Sequence, residues 1–395
     1  MSGYPRVTLN KIPGNFSRFG HPWIYRSQIK SAESAVSPGD LVSVYSEKNN
    51  FIGVGYHNKA SEITIRLLTR KPEVIDKGFF AAKIMKAAEF RKRVVSGSNA
   101  CRLVSSEGDD LPGLIVDQYG EVAVVQFLTL GMDRLRPLVL EALEAAVPSR
   151  GVYERSDSSS RKIEGLPEKV GWIRRDCGDE VTIQEGDIRY AIHFGAGHKT
   201  GMYLDQRENR LFIAGLGVKG EAIDAFCYEG GFGLHLAKAG CRVLGIDSQE
   251  DVIRRAEAQR ELNGITPEAL QFKVANVFDQ LKMFEKEKRK FDLVILDPPS
   301  FVKKKAALEG ALSGYKEIIL RSMKILNEDG KLAVFSCSYH VDENLLMQAS
   351  LSAASDVRRT LRVLKFLKQS ADHPINPFIP ETYYLKGFLF QVSSL

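Results

Sequence analysis

An α/β fold with a Rossmann-like, mostly parallel seven-stranded sheet in the C-terminal half is predicted by three observations. Buried-type apolar runs alternate with helix-length segments after about residue 199. A glycine-rich turn, Gly230-Gly231-Phe232-Gly233, follows the first of those runs. Two later runs end in reactive side chains, Asp297-Pro298-Pro299-Ser300-Phe301 and Ser336-Cys337-Ser338. An open sheet of this kind presents its chemistry at the carboxyl ends of its strands. A small N-terminal β-barrel and a middle α+β domain complete the expected architecture.

The barrel is expected over 1–72. Leu41-Val42-Ser43-Val44-Tyr45 and Phe51-Ile52-Gly53-Val54-Gly55 flank the turn Glu47-Lys48-Asn49-Asn50, and Ile63 to Leu68 supplies a third strand after the entry turn Pro38-Gly39-Asp40. Short strands with little helix suit a barrel of the kind that commonly binds RNA. The middle domain is expected over 73–194. Phe79, Phe80, Ile84, Ala87 and Ala88 recur at helical spacing, Leu114–Val116 and Val122–Phe127 read as strands, a helix is expected near Leu135–Ala146, and a hairpin turns at Glu185-Gly186-Asp187. The last domain is expected over 195–395, with strands at Ala222–Phe226, Arg242–Ile246, Gln271–Val274, Phe291–Leu296, Lys331–Phe335, Arg362–Leu367 and Leu389–Val392. A sheet that finishes strand, turn, strand favours a methyltransferase arrangement over a dehydrogenase one, by analogy as well as pattern.

Composition bounds the function. The 395 residues exceed one ordinary domain, and 44% hydrophobic content suits globular cores. No run approaches eighteen apolar residues and Met1 to Asn10 lacks a secretory apolar segment, so the cytoplasm is the expected location. The five cysteines are scattered without a Cys-x-x-Cys pair, so neither a disulfide framework nor a metal site is expected. Residues 1–75 carry ten Lys or Arg against five Asp or Glu, which places +5 of the net +6 there. A polyanionic partner such as RNA fits that imbalance, and an ordinary solvated surface fits it as well.

The site residues follow from strand ends. Glycine at 230 and 231 lets the backbone approach a ligand. Asp247, ending the next strand, is placed to accept hydrogen bonds from ribose hydroxyls. The turn departs from Gly-x-Gly-x-x-Gly, which favours S-adenosylmethionine, a cofactor without a pyrophosphate, over NAD. Asp297 ends a third strand, and Pro298 and Pro299 stiffen the chain beyond it into a lip that suits a flat base. Lys303, Lys304 and Lys305 would face substrate phosphates at the cleft mouth. Cys337 is the best-placed nucleophile: a thiolate adding to carbon 6 of a pyrimidine makes carbon 5 able to accept a methyl group. His340 and the lysine run are the candidates for holding that thiolate. Methyl transfer to a nucleic-acid base is the resulting expectation.

On these residues the chain resembles the bacterial large-subunit ribosomal RNA cytosine-5 methyltransferases of the RlmI type. The resemblance spans nearly the whole chain, through His21-Pro22-Trp23, Asp110-Leu111-Pro112-Gly113-Leu114, Arg155-Ser156-Asp157, Gly197-His198-Lys199-Thr200-Gly201, Tyr203-Leu204-Asp205-Gln206-Arg207, Ala371-Asp372-His373-Pro374 and Tyr384-Leu385-Lys386-Gly387-Phe388, besides the two strand-end motifs. It implies an N-terminal PUA barrel that binds RNA, a middle domain of the EEHEAD type and a C-terminal class I methyltransferase fold making 5-methylcytidine in 23S ribosomal RNA. It also implies S-adenosylmethionine against Asp224, Phe226, Tyr228, Gly230, Gly231, Asp247, Asn276 and Asp297, with Lys199, Asp205 and Arg207 near its methionine end. Cys337, aided by Asp297, would be catalytic, and Pro298, Pro299, Phe301, Lys303 and Lys304 would meet the RNA. A homodimer is one assembly open to it. Two positions depart from the pattern: Asn276 stands where relatives often carry an acid, and Ser300 where a basic residue is more usual. The competing readings are an RNA methyltransferase acting on a guanine ring nitrogen or exocyclic amine, which needs no thiol, a NAD-dependent oxidoreductase, and a non-catalytic RNA-binding factor.

Overall fold

The computed structural model describes residues 3–10, 20–195, 201–302 and 307–395. The chain divides into two compact units: Met1–Ile183 with Ile192–Leu204 and Ala371–Thr382, and Gln184–Ala191 with Asp205–Ser370 and Tyr383–Leu395.

The first unit opens with a six-stranded sheet of β1 (Arg6–Leu9), β2 (Trp23–Tyr25), β3 (Ile29–Ala32), β4 (Leu41–Tyr45), β5 (Phe51–His57) and β6 (Ile63–Thr69), ordered β2-β6-β5-β4-β1-β3. Val7, Leu9, Ile24, Val42, Val44, Ile65 and Leu67 close its core. Helix α1 (Lys77–Val94) follows, N-capped by Asp76, which accepts from the Phe79 amide. A five-stranded sheet comes next: β7 (Ala100–Ser105), β8 (Leu114–Tyr119), β9 (Val122–Phe127), β10 (Gly151–Ser156) and β11 (Lys169–Arg174), in the order β11-β10-β9-β8-β7. The helix expected near 135–146 is α3 (Arg136–Ala146), and a short α2 (Leu130–Arg134) that the sequence reading did not include precedes it. Pro137 in the first turn of α3 lacks the amide that would continue one helix through the junction. After α4 (Ser160–Ile163) come β12 (Glu180–Glu185) and β13 (Ile188–His193), the expected hairpin.

In the second unit the chain runs α5 (Arg207–Ala214), β14 (Glu221–Ala225), α6 (Gly231–Lys238), β15 (Arg242–Asp247), α7 (Glu250–Leu262), β16 (Leu270–Val274), α8 (Val277–Lys286), β17 (Phe291–Leu296), α9 (Leu308–Ile325), β18 (Leu326–Ser336), α10 (Glu343–Asp356), β19 (Arg359–Lys368) and β20 (Lys386–Ser394). The sheet order is β16-β15-β14-β17-β18-β20-β19. Pairs are parallel from β16 through to β18, and β20 is antiparallel to both β18 and β19. The predicted seven strands are all present, and several are longer than their apolar runs, because the polar ends Arg359, Thr360 and Ser393 still pair.

Helix cover on both faces explains why β17 reads as an unbroken apolar run. Five of its six residues are buried, and only Asp292 is partly exposed. Each such side chain contributes roughly 1.5–3 kcal/mol of burial. Val294 and Leu296 join Leu332 and Val334 of β18 and Phe284 of α8 in one cluster. That packing holds the strand ends where the polar loops begin. No helix among the described residues is long and apolar enough to cross a membrane.

Candidate active site

Five adjacent strands, β16-β15-β14-β17-β18, carry most of the candidate residues at their carboxyl ends. The turn after β14 is held by hydrogen bonds and by strain. Gly233 donates its amide to Asp224 Oδ2 at 2.8 Å, across the start of α6. The helix N-terminus that dinucleotide folds offer to a pyrophosphate is thus engaged here by the protein's own carboxylate. Asp224 Oδ1 is buried with no hydrogen-bond partner among the described residues. Burial, with Asp297 and Asp247 nearby, raises the Asp224 carboxyl to about 7 against the pull of the Gly233 amide. An orphaned buried acceptor in a ring of acids is chemistry for a bound cation, such as an amino group.

Phe226 and Tyr228 have φ of 63° and 49°, and Gly230 has 79°. Left-handed backbone at an aromatic residue costs about 1–3 kcal/mol and marks a loop shaped for use. The glycines were legible in the sequence and this strain was not. At Gly230 a Cβ would come within 2.6 Å of the Phe272 ring, so only glycine satisfies both the dihedral and the space. Cys227 points inward, buried, with its thiol pushed far up by that burial.

Asp247, ending β15, is steadied by the Tyr228 amide at 3.1 Å and the Gln249 amide at 3.2 Å, and it is only partly buried. Asn276 is exposed and caps α8, its Oδ1 accepting from the Phe278 amide at 2.9 Å and the Asp279 amide at 3.4 Å. With the oxygen so used, the Asn276 NH2 group faces outward as a donor. Gln206, not singled out from the sequence, donates to Asp297 Oδ2 at 3.0 Å and is itself gripped by Asn209 at 2.6 Å. Tyr384 donates its hydroxyl to Asp205 Oδ2 at 2.8 Å, and Arg207 begins α5 almost fully buried. A deeper brace lies behind them: Arg210 clamps Glu185 through two bonds of 2.7 Å, His235 meets the same carboxylate at 2.9 Å, and the Glu185 carboxyl, despite its burial, is lowered to about 2 by Arg210 and His235. The chain spends buried charge here on holding α5 against α6.

Beyond β17, Pro298 is buried and Pro299 exposed, so only the second proline offers a surface. Phe301 was expected to meet RNA. Its ring instead packs on Tyr315 at 4.9 Å, Phe278 at 6.2 Å and Phe226 at 6.4 Å, so it props the loop from inside; apolar area wins over display. Lys199, Lys303, Lys304 and Lys305 lie outside the described residues. Cys337 follows β18 and is exposed, while its neighbours Ser336 and Ser338 are wholly buried. Tyr315 donates to Ser336 at 2.9 Å, and the Ser300 and Ser338 hydroxyls bond at 2.9 Å, tying the loop after β17 to the loop after β18. Where a basic residue was expected, Ser300 thus serves as a tie. His340, a candidate for holding the thiolate, meets the Tyr339 ring edge-on. No three His, Cys, Asp or Glu side chains among the described residues are grouped to hold a metal.

Comparison with known proteins agrees with this architecture. Residues 7–70 match the family model for a PUA-like domain, and residues 217–375 that for a methyltransferase domain. A protein described as a SAM-dependent methyltransferase from Streptococcus mutans has the same fold, with a TM-score of 0.81 at 20% identity over 98% of this chain and 99% of that one. A ribosomal RNA large subunit methyltransferase I of Vibrio cholerae is 35% identical over 394 residues, covering 98% of this chain and 99% of that one. The counterpart of the same name in Pseudoalteromonas atlantica is 37% identical over 393 residues, again 98% and 99% of the two chains. With that identity sustained from end to end, the chain belongs to the ribosomal RNA large subunit methyltransferase I family.

Proposed function

We propose that the protein is an S-adenosylmethionine-dependent enzyme that forms 5-methylcytidine in large-subunit ribosomal RNA, with Cys337 as the nucleophile. The observation that carries this reading is an exposed thiol ending β18, two strands from the strained glycine turn. Family membership supports the cofactor and the ribosomal substrate. The orphaned Asp224 oxygen, the partly exposed Asp247 and the exposed Asn276 amide fit an amino group, a ribose and an adenine respectively, with the Phe226–Gly231 turn beside them. Asp205, Arg207 and Lys199 are assigned to the methionine end. When bound, the cofactor supplies an electrophilic methyl group on sulfur.

The chain's own residues do the rest. The target cytosine leaves its stack to reach the site. Pro299 lines the lip on which it rests, and Asp297, fixed by Gln206, accepts its exocyclic amine hydrogens. The Cys337 thiolate adds to carbon 6, and the carbon 5–carbon 6 π pair moves to form the new carbon–methyl bond. A base then takes the carbon 5 proton, the sulfur–carbon 6 bond breaks, and the thiolate returns. The barrel over 1–72 and the middle domain over 73–194 are assigned to RNA binding, in line with the basic excess of residues 1–75.

Incubating the protein with labelled cofactor and large-subunit ribosomal RNA, then digesting the RNA to nucleosides, tests the reading. Label in 5-methylcytidine is expected. Label in a methylguanosine overturns it.

A further inference from the structure

A thiol needs a positive neighbour to ionise near neutrality, and β20 supplies one. Lys386 is the first residue of that strand and pairs in register with Ser336, the last residue of β18. Its side chain is buried to 5% exposure, yet its Nζ reaches the loop of Cys337, donating to the Ser338 carbonyl at 3.4 Å. The other group against Nζ among the described residues is the ring of Tyr383, 5.6 Å away at its centroid. Neither carries a charge. The two carboxylates that act on Lys386 bind elsewhere: Asp342 caps α10 through the Leu345 amide, and Glu343 accepts the Tyr383 hydroxyl. An ammonium taken out of water with no anion in direct contact among the described residues is costly, and proteins rarely leave one so.

We propose that Lys386 is the positioning cation of the site, and that the counter-charge it awaits is the Cys337 thiolate. The inference rests on Cys337 being the nucleophile. The thiol proton passes to solvent, Lys386 keeps its three hydrogens, and one buried positive charge gains one negative charge at the strand end. After carbon 6 is attacked the sulfur is neutral, and on release the electron pair returns to sulfur beside the same ammonium. The surroundings agree. Burial pulls the Lys386 ammonium below the usual lysine range, opposed by Asp342, Cys337 and Glu343. Tyr315 is pushed up to about 12 by burial, so it remains a neutral donor to Ser336. Among the described residues, Lys368 lies opposite Lys386 in β19, and Asp297 bears on the Tyr315 hydroxyl that backs the loop.

The test reads the thiol directly, without RNA or cofactor. Cys337 is alkylated with iodoacetamide across pH 5.5 to 10, and its peptide is quantified by mass spectrometry. An ordinary thiol is half-ionised at about 8.5. For the wild type the midpoint is expected at least about one pH unit lower. Lys386→Met should return it to about 8.5, slowing alkylation at pH 7 by about threefold or more, while Lys386→Arg should keep it low. A wild-type midpoint at the ordinary value overturns the proposal with no variant needed. So does a Lys386→Met protein, folded by its melting curve, whose profile overlays the wild type. The nucleophile reading fails separately, through an active Cys337→Ala enzyme, which leaves the alkylation midpoints untouched.

Discussion

Cys227 and Cys337 follow strands of the same sheet at the same edge, and their surroundings send them in opposite directions. Cys227 sits inside the turn after β14, buried, its sulfur close to where a Cβ on Gly245 would lie and its thiol held neutral. Cys337 projects from a loop whose neighbouring serines are buried and hydrogen-bonded, so the backbone is anchored while the sulfur is exposed. Two identical side chains thus become a filler and a candidate nucleophile. The difference lies in desolvation and in the cation within reach, not in the residue type. Swapping alanine into each site breaks the comparison most sharply. Cys337→Ala is expected to lower methyl transfer by about a thousandfold or more while cofactor binding and melting temperature stay put. Cys227→Ala should retain activity within a few-fold and lose a modest amount of stability. Equal losses from the two substitutions, in single-turnover assays, would erase the distinction.

The loops themselves contrast as well. The turn after β14 combines strain with close packing, whereas the loops after β17 and β18 are tied to each other through side-chain hydrogen bonds. Gly230→Ala attacks the first kind. Its Cβ would collide with Phe272 in a backbone conformation that alanine dislikes, so cofactor affinity should fall by about ten- to a hundredfold, read by calorimetric titration. Asp224→Asn probes the same turn electrostatically. A neutral Asp224 favours the ligand-free fold, so that share of stability is full below the ordinary 3.8 and is lost as pH rises through about 7. A cationic ligand prefers the ionised acid, so wild-type affinity should climb as pH rises through 7. The asparagine variant should bind about tenfold more weakly with a flat pH profile, and its melting temperature should vary less between pH 4 and 8. A wild-type affinity indifferent to pH across that window would place the ligand's charge elsewhere.

The seven strands, the glycine turn and the three strand-end residues Asp247, Asp297 and Cys337 were legible because they are local: an apolar run, then a turn, then a polar side chain. What escaped depends on pairing across the chain. Gln206 meets Asp297 from 91 residues away, and Lys386 reaches the Cys337 loop through a register between strands nearly fifty residues apart. The packing of Phe301 was hidden for the same reason. Beside two prolines it reads as an exposed lip, and only the fold brings Tyr315, Phe278 and Phe226 around it. The serine at 300 was read for the charge it lacks, when its hydroxyl is what the geometry uses.

That hydroxyl gives the smallest test. Ser300 accepts or donates to Ser338 at 2.9 Å and bonds the Val302 carbonyl at 3.1 Å, so it spans the gap between the loops of Asp297 and Cys337. Ser300 itself is exposed, and water can replace what it loses, which limits the cost to about 0.5–1.5 kcal/mol. If the tie serves only the fold, Ser300→Ala should shift the melting temperature slightly and leave turnover alone. If it fixes the spacing between base and sulfur, turnover should fall about three- to tenfold with cofactor affinity unchanged, because misplacement is felt in the reacting geometry first. The second outcome is expected. Phe301 props the loop after β17 from inside, but the Ser300–Ser338 hydroxyl pair is what joins that loop to the one after β18. Steady-state kinetics with saturating cofactor, set beside the Cys227→Ala values, separates the two.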